Sequence, residues 1–303
     1  MTRAPPPIPP YPHMVILRER EVVLTRTPAP HVALPRLGLG TFRLRGEAAG
    51  RAVLAALACG YRHIDTASIY KNEAEVGAAV RASGVPRGEV FLTSKISPYE
   101  MLDAAAACEG IVSRLGVDYL DLLLLHWPGV AKAKLTSEKN AKARAAAWAA
   151  LEALHERGVA RSIGVSNFEV EHLRQMRAAG ARVMPHVNQV EVHPEFPNAE
   201  LRAACAAEDV AVVAYASLGV GDLLEDATVR RVAEGVGRTP AQVLLRWGLQ
   251  QGLCVLPKSG DPARIAANGA VFDFELPADA MRALDGLAGQ GGGKRCWDPR
   301  GVR

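Results

Sequence analysis

The sequence predicts an α/β chain folded as a single (β/α)8 TIM barrel, with an N-terminal β-hairpin closing its bottom. Three observations predict this. Eight strand-like apolar runs alternate with stretches of helical period, and such alternation implies a parallel sheet with right-handed crossovers. The runs are almost continuously apolar, as strands buried on both faces are. The eight units fill roughly 250 residues, the size of one barrel. The rival is a doubly wound sheet, which would carry a glycine fingerprint after its first strand. "GLGTFR" at 38–43 is not G-x-G-x-x-G, and no other segment is.

Residues 1–13, "MTRAPPPIPPYPH", form a proline-rich arm without the apolar stretch of a secretory signal. An extended or disordered arm is expected there. Residues 14–35 read as the hairpin. The barrel runs begin with "RLGLGT" (36–41), "YRHIDTA" (61–67), "VFLTSK" (90–95) and "YLDLLLLHW" (119–127). They continue with "RSIGVSN" (161–167), "HVNQVEV" (186–192), "VAVVAYASL" (210–218) and "LCVLPKS" (253–259). Helical stretches include 50–58, 144–158 and 239–252, the last with Thr239 as N-cap and Pro240 at the first helical position. The lysine-rich segment 129–144 reads as a solvated loop over the barrel's top. Residues 14–288 thus make one barrel domain, and 289–303 a glycine-rich tail.

Apolar residues make up 49% of the chain and charged residues 22%, which fits a globular protein with a large core. The net charge of +4 is mild and its cations are interspersed with acids, so no nucleic-acid footprint is expected. No apolar run approaches the roughly 20 residues that span a bilayer. The five cysteines are scattered, odd in number and lack CxxC, which predicts a reducing, cytoplasmic setting. Cys296, in the polar tail, is the one expected to be exposed.

Buried strands should end in turn residues, yet these end in functional groups: Asp65, Lys95, His126, Ser166 with Asn167, Gln189, Tyr215, and Lys258 with Ser259. A parallel barrel gathers all of them at one rim, where barrel enzymes keep their chemistry. Each has a bland alternative, such as a capping aspartate or a packed tyrosine. Together they are harder to dismiss, because a lysine and an aspartate at a barrel mouth need each other. Asp65 is expected to hold Lys95 charged. Lys95 is expected to lower the pKa of Tyr70, so that its phenol donates a proton near neutral pH. His126 would orient a carbonyl. No strong nucleophile accompanies them, so the electrons must come from elsewhere. The histidines show no metal-ligand spacing such as H-E-x-x-H, and no metal site is expected.

"GYRHIDTASIYKNEAEVG" (60–77), "TSKI" (93–96), "LLLLHWP" (122–128), "GVSNF" (164–168), "NQVEVHP" (188–194) and "LPKS" (256–259) resemble the aldo-keto reductase superfamily over roughly residues 30–288. The resemblance implies a nicotinamide dinucleotide and a small or medium aldehyde or ketone as substrate. It makes Asp65, Tyr70, Lys95 and His126 a catalytic tetrad with Tyr70 as general acid. Ser166, Asn167 and Gln189 match residues that hold the carboxamide, and Tyr215 the aromatic that stacks on nicotinamide. Gly40 and Thr41 match the start of the cofactor channel. Lys258, Ser259, Arg264 and Asn268 match the adenosine-phosphate site, whose two cations favour NADPH over NADH. Trp127 matches a pocket-lining tryptophan. Trp297 is expected either to lean over the pocket or to cover apolar surface, and the short tail to leave that pocket open. A monomer is expected.

Several positions depart from the family pattern. Ala267 stands where a glutamate is common, and Asp261 adds negative charge near the phosphate site. "YASLG" (215–219) and "KISPYE" (95–100) also differ, the latter lacking an aromatic that relatives place soon after the lysine. Two rivals remain: a cofactor-binding sensor with slow turnover, and a Schiff-base enzyme using Lys95.

Overall fold

The computed structural model describes residues 15–17, 20–24, 27, 31–290 and 293–303. The proline-rich arm at 1–13 lies outside these residues. The predicted hairpin gains a third strand. Strands β1 (Val15–Leu17), β2 (Glu21–Leu24) and β3 (Val32–Pro35) form an antiparallel sheet in the order β1-β2-β3.

Eight parallel strands follow, each paired with its neighbour in sequence. They are β4 (Leu39–Gly40), β5 (His63–Asp65), β6 (Phe91–Ile96), β7 (Leu120–Leu125), β8 (Ala160–Ser166), β9 (Val187–Glu191), β10 (Ala211–Tyr215) and β11 (Cys254–Val255). A parallel bridge between Leu37 and Val255 joins the ends of this sheet. Three backbone bonds hold that seam: Val255 N–H to Arg36 O at 2.7 Å, Gly38 N–H to Val255 O at 3.0 Å and Gly40 N–H to Pro257 O at 2.9 Å. The barrel is therefore closed. The first and last strands are the shortest, because the apolar runs around them continue as bridge and loop.

The helices are α1 (Glu47–Ala58), α2 (Glu73–Ala82), α3 (Ala104–Leu115), α4 (Glu138–Glu156), α5 (Val170–Ala178), α6 (Ala199–Ala207), α7 (Ala227–Val236), α8 (Pro240–Gln250), α9 (Pro262–Gly269) and α10 (Ala278–Asp285). Thr239 caps α8 as expected, in a reciprocal pair with Gln242. Segment 129–144 is not wholly a loop, since α4 already begins at Glu138. Ser137 caps it, and buried Asn140 folds the shorter loop onto the helix by accepting from Val130 N–H and donating to the Lys134 and Leu135 carbonyls. A lysine-rich surface hid this helix start.

The larger core cluster lies between barrel and helices. A second cluster fills the barrel's lower interior: Val22, Leu24 and Leu34 of the antiparallel sheet pack with Phe91, Leu122, Val187 and Ala211, near the strand starts. The small sheet thus plugs the end opposite the strand C-termini. Helix–helix contact is just as tight. A Cβ on Gly77 of α2 would sit 1.9 Å from the Leu115 carbonyl oxygen at the end of α3, and backbone on both sides leaves little room to yield. Gly77→Ala should cost about 3 kcal/mol, read as a lower urea midpoint. An unchanged midpoint would contradict this packing.

Candidate active site

Strand register delivers the polar residues to one rim. Gly40 pairs with Asp65 at neighbouring strand ends, and Ser166, the last residue of β8, pairs with Gln189 in the middle of β9. Asp65, Ser166 and Tyr215 are the last residues of β5, β8 and β10. His126 follows β7 directly, its N–H held by Ile96 O at 3.0 Å. Tyr70 closes a short 3-10 turn, Ser68–Tyr70, after β5.

Lys95 is the hub and is fully buried. Its Nζ donates to Asp65 Oδ1 at 2.6 Å and to Thr66 O at 2.8 Å. The Tyr70 hydroxyl lies 3.5 Å from the same nitrogen. Asp65 is held in turn by Gln189, whose Nε2 donates to Oδ2 at 2.8 Å. A buried pair is tolerated only when its remaining hydrogen-bonding capacity is met, and Thr66 and Gln189 meet it here. The half-buried Tyr70 ring packs between Phe42, at 5.2 Å between centroids, and His126, at 5.6 Å and edge-on. All four expected catalytic residues therefore share one cluster.

The electrostatics correct one expectation. The expected fall of the Tyr70 pKa toward neutrality is not found. Burial pushes the phenol well above its usual range, and the Asp65 carboxylate and the Cys296 sulfur push the same way. The Lys95 ammonium, 3.5 Å from the hydroxyl and paired with Asp65 at 2.6 Å, does not offset these effects. Burial lowers the Lys95 ammonium as well, with Asp65 opposing that. His126 is driven well below the ordinary imidazole range by burial and by Lys95. It is neutral at pH 7 and can offer an N–H without competing for a proton. Its Nδ1 is buried with no hydrogen-bond partner among the described residues.

A second polar group sits beside the first. Ser166 Oγ donates to Gln189 O at 2.7 Å. Asn167 Nδ2 donates to His126 O at 2.9 Å and to Ser166 Oγ at 3.0 Å. Tyr215 O–H donates to Asn167 Oδ1 at 2.6 Å. Asn167 takes a positive φ of 62° to make this turn, a conformation asparagine tolerates better than most residues. Thr41 donates through its N–H and hydroxyl to Asp65 O, at 3.0 and 2.8 Å.

Lys258 and Ser259 precede α9, while Arg264 lies in its first turn and Asn268 near its end. Lys258 and Arg264 are exposed, and neither forms an ion pair among the described residues. Asp261 is the N-cap of α9 and accepts from Arg264 N–H at 2.9 Å. Its carboxylate is engaged by the helix end. Ser259 and Asn268 are buried.

The tail is folded over the rim. Trp297, about half exposed, sets its edge against Trp127 at 4.7 Å between centroids. Cys296 is half-buried, and the exposed cysteine is Cys59. Three contributors escaped the sequence reading: Phe42, the Thr66 carbonyl and Glu191. Glu191 could have been found as an acid inside the apolar run "HVNQVEV".

The C-terminal rim of this closed parallel barrel thus carries a buried Lys–Asp pair, a neighbouring tyrosine and a neutral histidine. The sequence model of the Aldo/keto reductase family matches residues 36–288, and the chain belongs to that family. It is 46% identical over 256 residues to an aldo-keto reductase of Mycolicibacterium vanbaalenii, covering 84% of this chain and 88% of the relative. Among solved structures it is similar to MGS-M4, an aldo-keto reductase from a deep-sea metagenome library. That match has a TM-score of 0.78 and 39% identity, over 88% of this chain and 94% of the other. It is also similar to an aldose reductase from Schistosoma japonicum, at TM-score 0.77 and 35% identity, over 84% and 89% of the two chains. The chain is thus an aldo-keto reductase family oxidoreductase. Among the described residues no helix is long and apolar enough to cross a membrane.

Proposed function

We propose that this protein reduces small or medium aldehydes and ketones to alcohols with NADPH, Tyr70 acting as general acid. One observation carries the reading. The Tyr70 hydroxyl, the Lys95 ammonium and the Asp65 carboxylate form a chain with steps of 3.5 and 2.6 Å, beside a neutral His126. NADPH, when bound, supplies the hydride, chemistry that no side chain here can provide.

The donor set fits that cofactor. Ser166, Asn167 and Gln189 would hold a carboxamide, Tyr215 would offer a ring face, and Gly40 and Thr41 would border the channel. Lys258 and Arg264, two exposed cations without acid partners among the described residues, suit a 2′-phosphate, and Ser259 and Asn268 would join them. Asp261 opposes this less than its sequence position suggests, because it is engaged in capping α9.

A carbonyl oxygen placed between His126 and Tyr70 would receive an N–H from the neutral imidazole. As negative charge develops on that oxygen, Tyr70 transfers its proton to it. A high resting pKa keeps the proton on Tyr70 until it is needed. The resulting phenolate lies beside the Lys95 ammonium, which Asp65 holds in place. Lys95 thus acts on the product of proton transfer. Its full burial and ion pair also count against Schiff-base chemistry, which needs a free neutral amine. Trp127 and Trp297 would wall the substrate pocket. We assign the protein to the cytoplasm as a monomer.

NADPH oxidation with a small aromatic aldehyde tests the reading, with NADH in parallel. Lys258→Ala and Arg264→Ala should each raise KM for NADPH about tenfold while leaving KM for NADH unchanged. Equal losses with both cofactors would overturn the 2′-phosphate assignment.

A further inference from the structure

We propose that Glu191 is a positioning residue for substrate selection. It anchors the C-terminal segment so that Trp297 is held against Trp127 as a fixed wall of the pocket. What the wall selects rests on the reductase reading above, whereas the anchor stands on geometry alone.

Glu191 is the last residue of β9, and its carboxylate is completely buried. An unpaired carboxylate there would be strongly unfavourable. Four donors satisfy it. Arg295 N–H reaches Oε1 at 2.6 Å and Cys296 N–H reaches Oε2 at 3.0 Å. Lys294 Nζ reaches Oε2 at 3.2 Å, and His193 Nε2 meets Oε1 at 3.1 Å. Three of these four belong to the tail. Burial pushes the carboxyl up, but the bonds from His193 and the two amides prevail and hold it at about 2. The anchor stays ionised at neutral pH. Detaching the tail would strand this charge, so the tail and Glu191 require each other.

The neighbouring contacts tighten the attachment. The Arg295 side chain pairs with Glu195 and Asp222 rather than with Glu191. At its far end the tail is pinned again: His172 Nδ1 accepts from Glu169 N–H, so Nε2 donates to Val302 O at 2.8 Å. Arg144 donates to Arg303 O at 3.0 Å, and Arg303 N–H donates to Leu135 O at 2.9 Å. Between the two pins lies Trp297, half exposed and touching Trp127 only edge-on. One edge contact is worth about 1 kcal/mol, too little to fix an indole by itself. Trp297 follows the anchored Cys296 directly, so the anchor fixes where its ring can lie.

Two readouts test this on the full chain. Trypsin cleavage after Lys294 and Arg295 should be at least about tenfold faster in Glu191→Gln than in wild type, because the open form is then more populated. The ratio of kcat/KM for an aromatic aldehyde to that for a short aliphatic aldehyde should fall about tenfold. Trp297→Ala should reproduce the fall in that ratio without the faster cleavage. A purely structural role would lower both substrates together and leave the ratio unchanged. An unchanged cleavage rate, or a wild-type ratio, in Glu191→Gln overturns the proposal. If Glu191→Gln does not fold, Lys294→Ala breaks the anchor from the tail side. Cleavage after Arg295 and the same ratio then decide. A wild type that reduces no aldehyde, alongside faster cleavage of the variant, would sink the reductase reading and leave the anchor standing.

Discussion

Tyr70→Phe should bind NADPH as tightly as wild type and lose about 10³-fold in kcat, the usual scale of a general acid's contribution. The substitution removes one hydroxyl. The ring contacts to Phe42 and His126 remain, and the 3.5 Å approach to Lys95 is the only hydrogen bond the hydroxyl makes among the described residues. Fold and cofactor affinity should therefore be unchanged, which isolates proton transfer. Stopped-flow NADPH oxidation with a saturating aromatic aldehyde reads the effect. A variant within tenfold of wild type would remove Tyr70 from the role of acid.

The second large effect separates stability from chemistry. Lys95→Met leaves Asp65 as a buried charge with Gln189 as its remaining side-chain donor. Stranding a buried charge in this way typically costs about 3–5 kcal/mol, so the single variant should unfold at markedly lower urea. Adding Asp65→Asn removes the charge and should restore much of that stability. Turnover should not return, because no cation is left beside the Tyr70 phenolate. A stable double variant with wild-type kcat would show that the pair only holds the barrel mouth together.

The polar cluster at the rim was legible because burial makes polar residues at the ends of apolar strands conspicuous. Asp65 and Lys95 stand out from "YRHIDTA" and "VFLTSK" without any knowledge of their neighbours. The barrel was legible for the same reason, since eight two-sided strands leave eight apolar runs. The acidity of Tyr70 was not. Sequence shows that a lysine and an aspartate are near, but not that burial and the Asp65 carboxylate together outweigh the ammonium at Tyr70. The start of α4 was hidden because "KLTSEKN" is polar on every side, and its stabilising contacts run from Asn140 back to the loop. The anchoring role of Glu191 was invisible for a topological reason. Its tail partners lie more than a hundred residues away, and local pattern carries no trace of such a pairing.

In the proposed reaction hydride goes to a carbonyl carbon while Tyr70 supplies the proton to its oxygen. The most direct measurement is product analysis after turnover of an aromatic aldehyde with NADPH carrying deuterium at both hydrogens of the nicotinamide C4 position. Wild type should form an alcohol carrying deuterium on its carbinol carbon, nearly absent with Tyr70→Phe. Alcohol without that label, or no alcohol from a wild type that binds NADPH, would contradict this reaction.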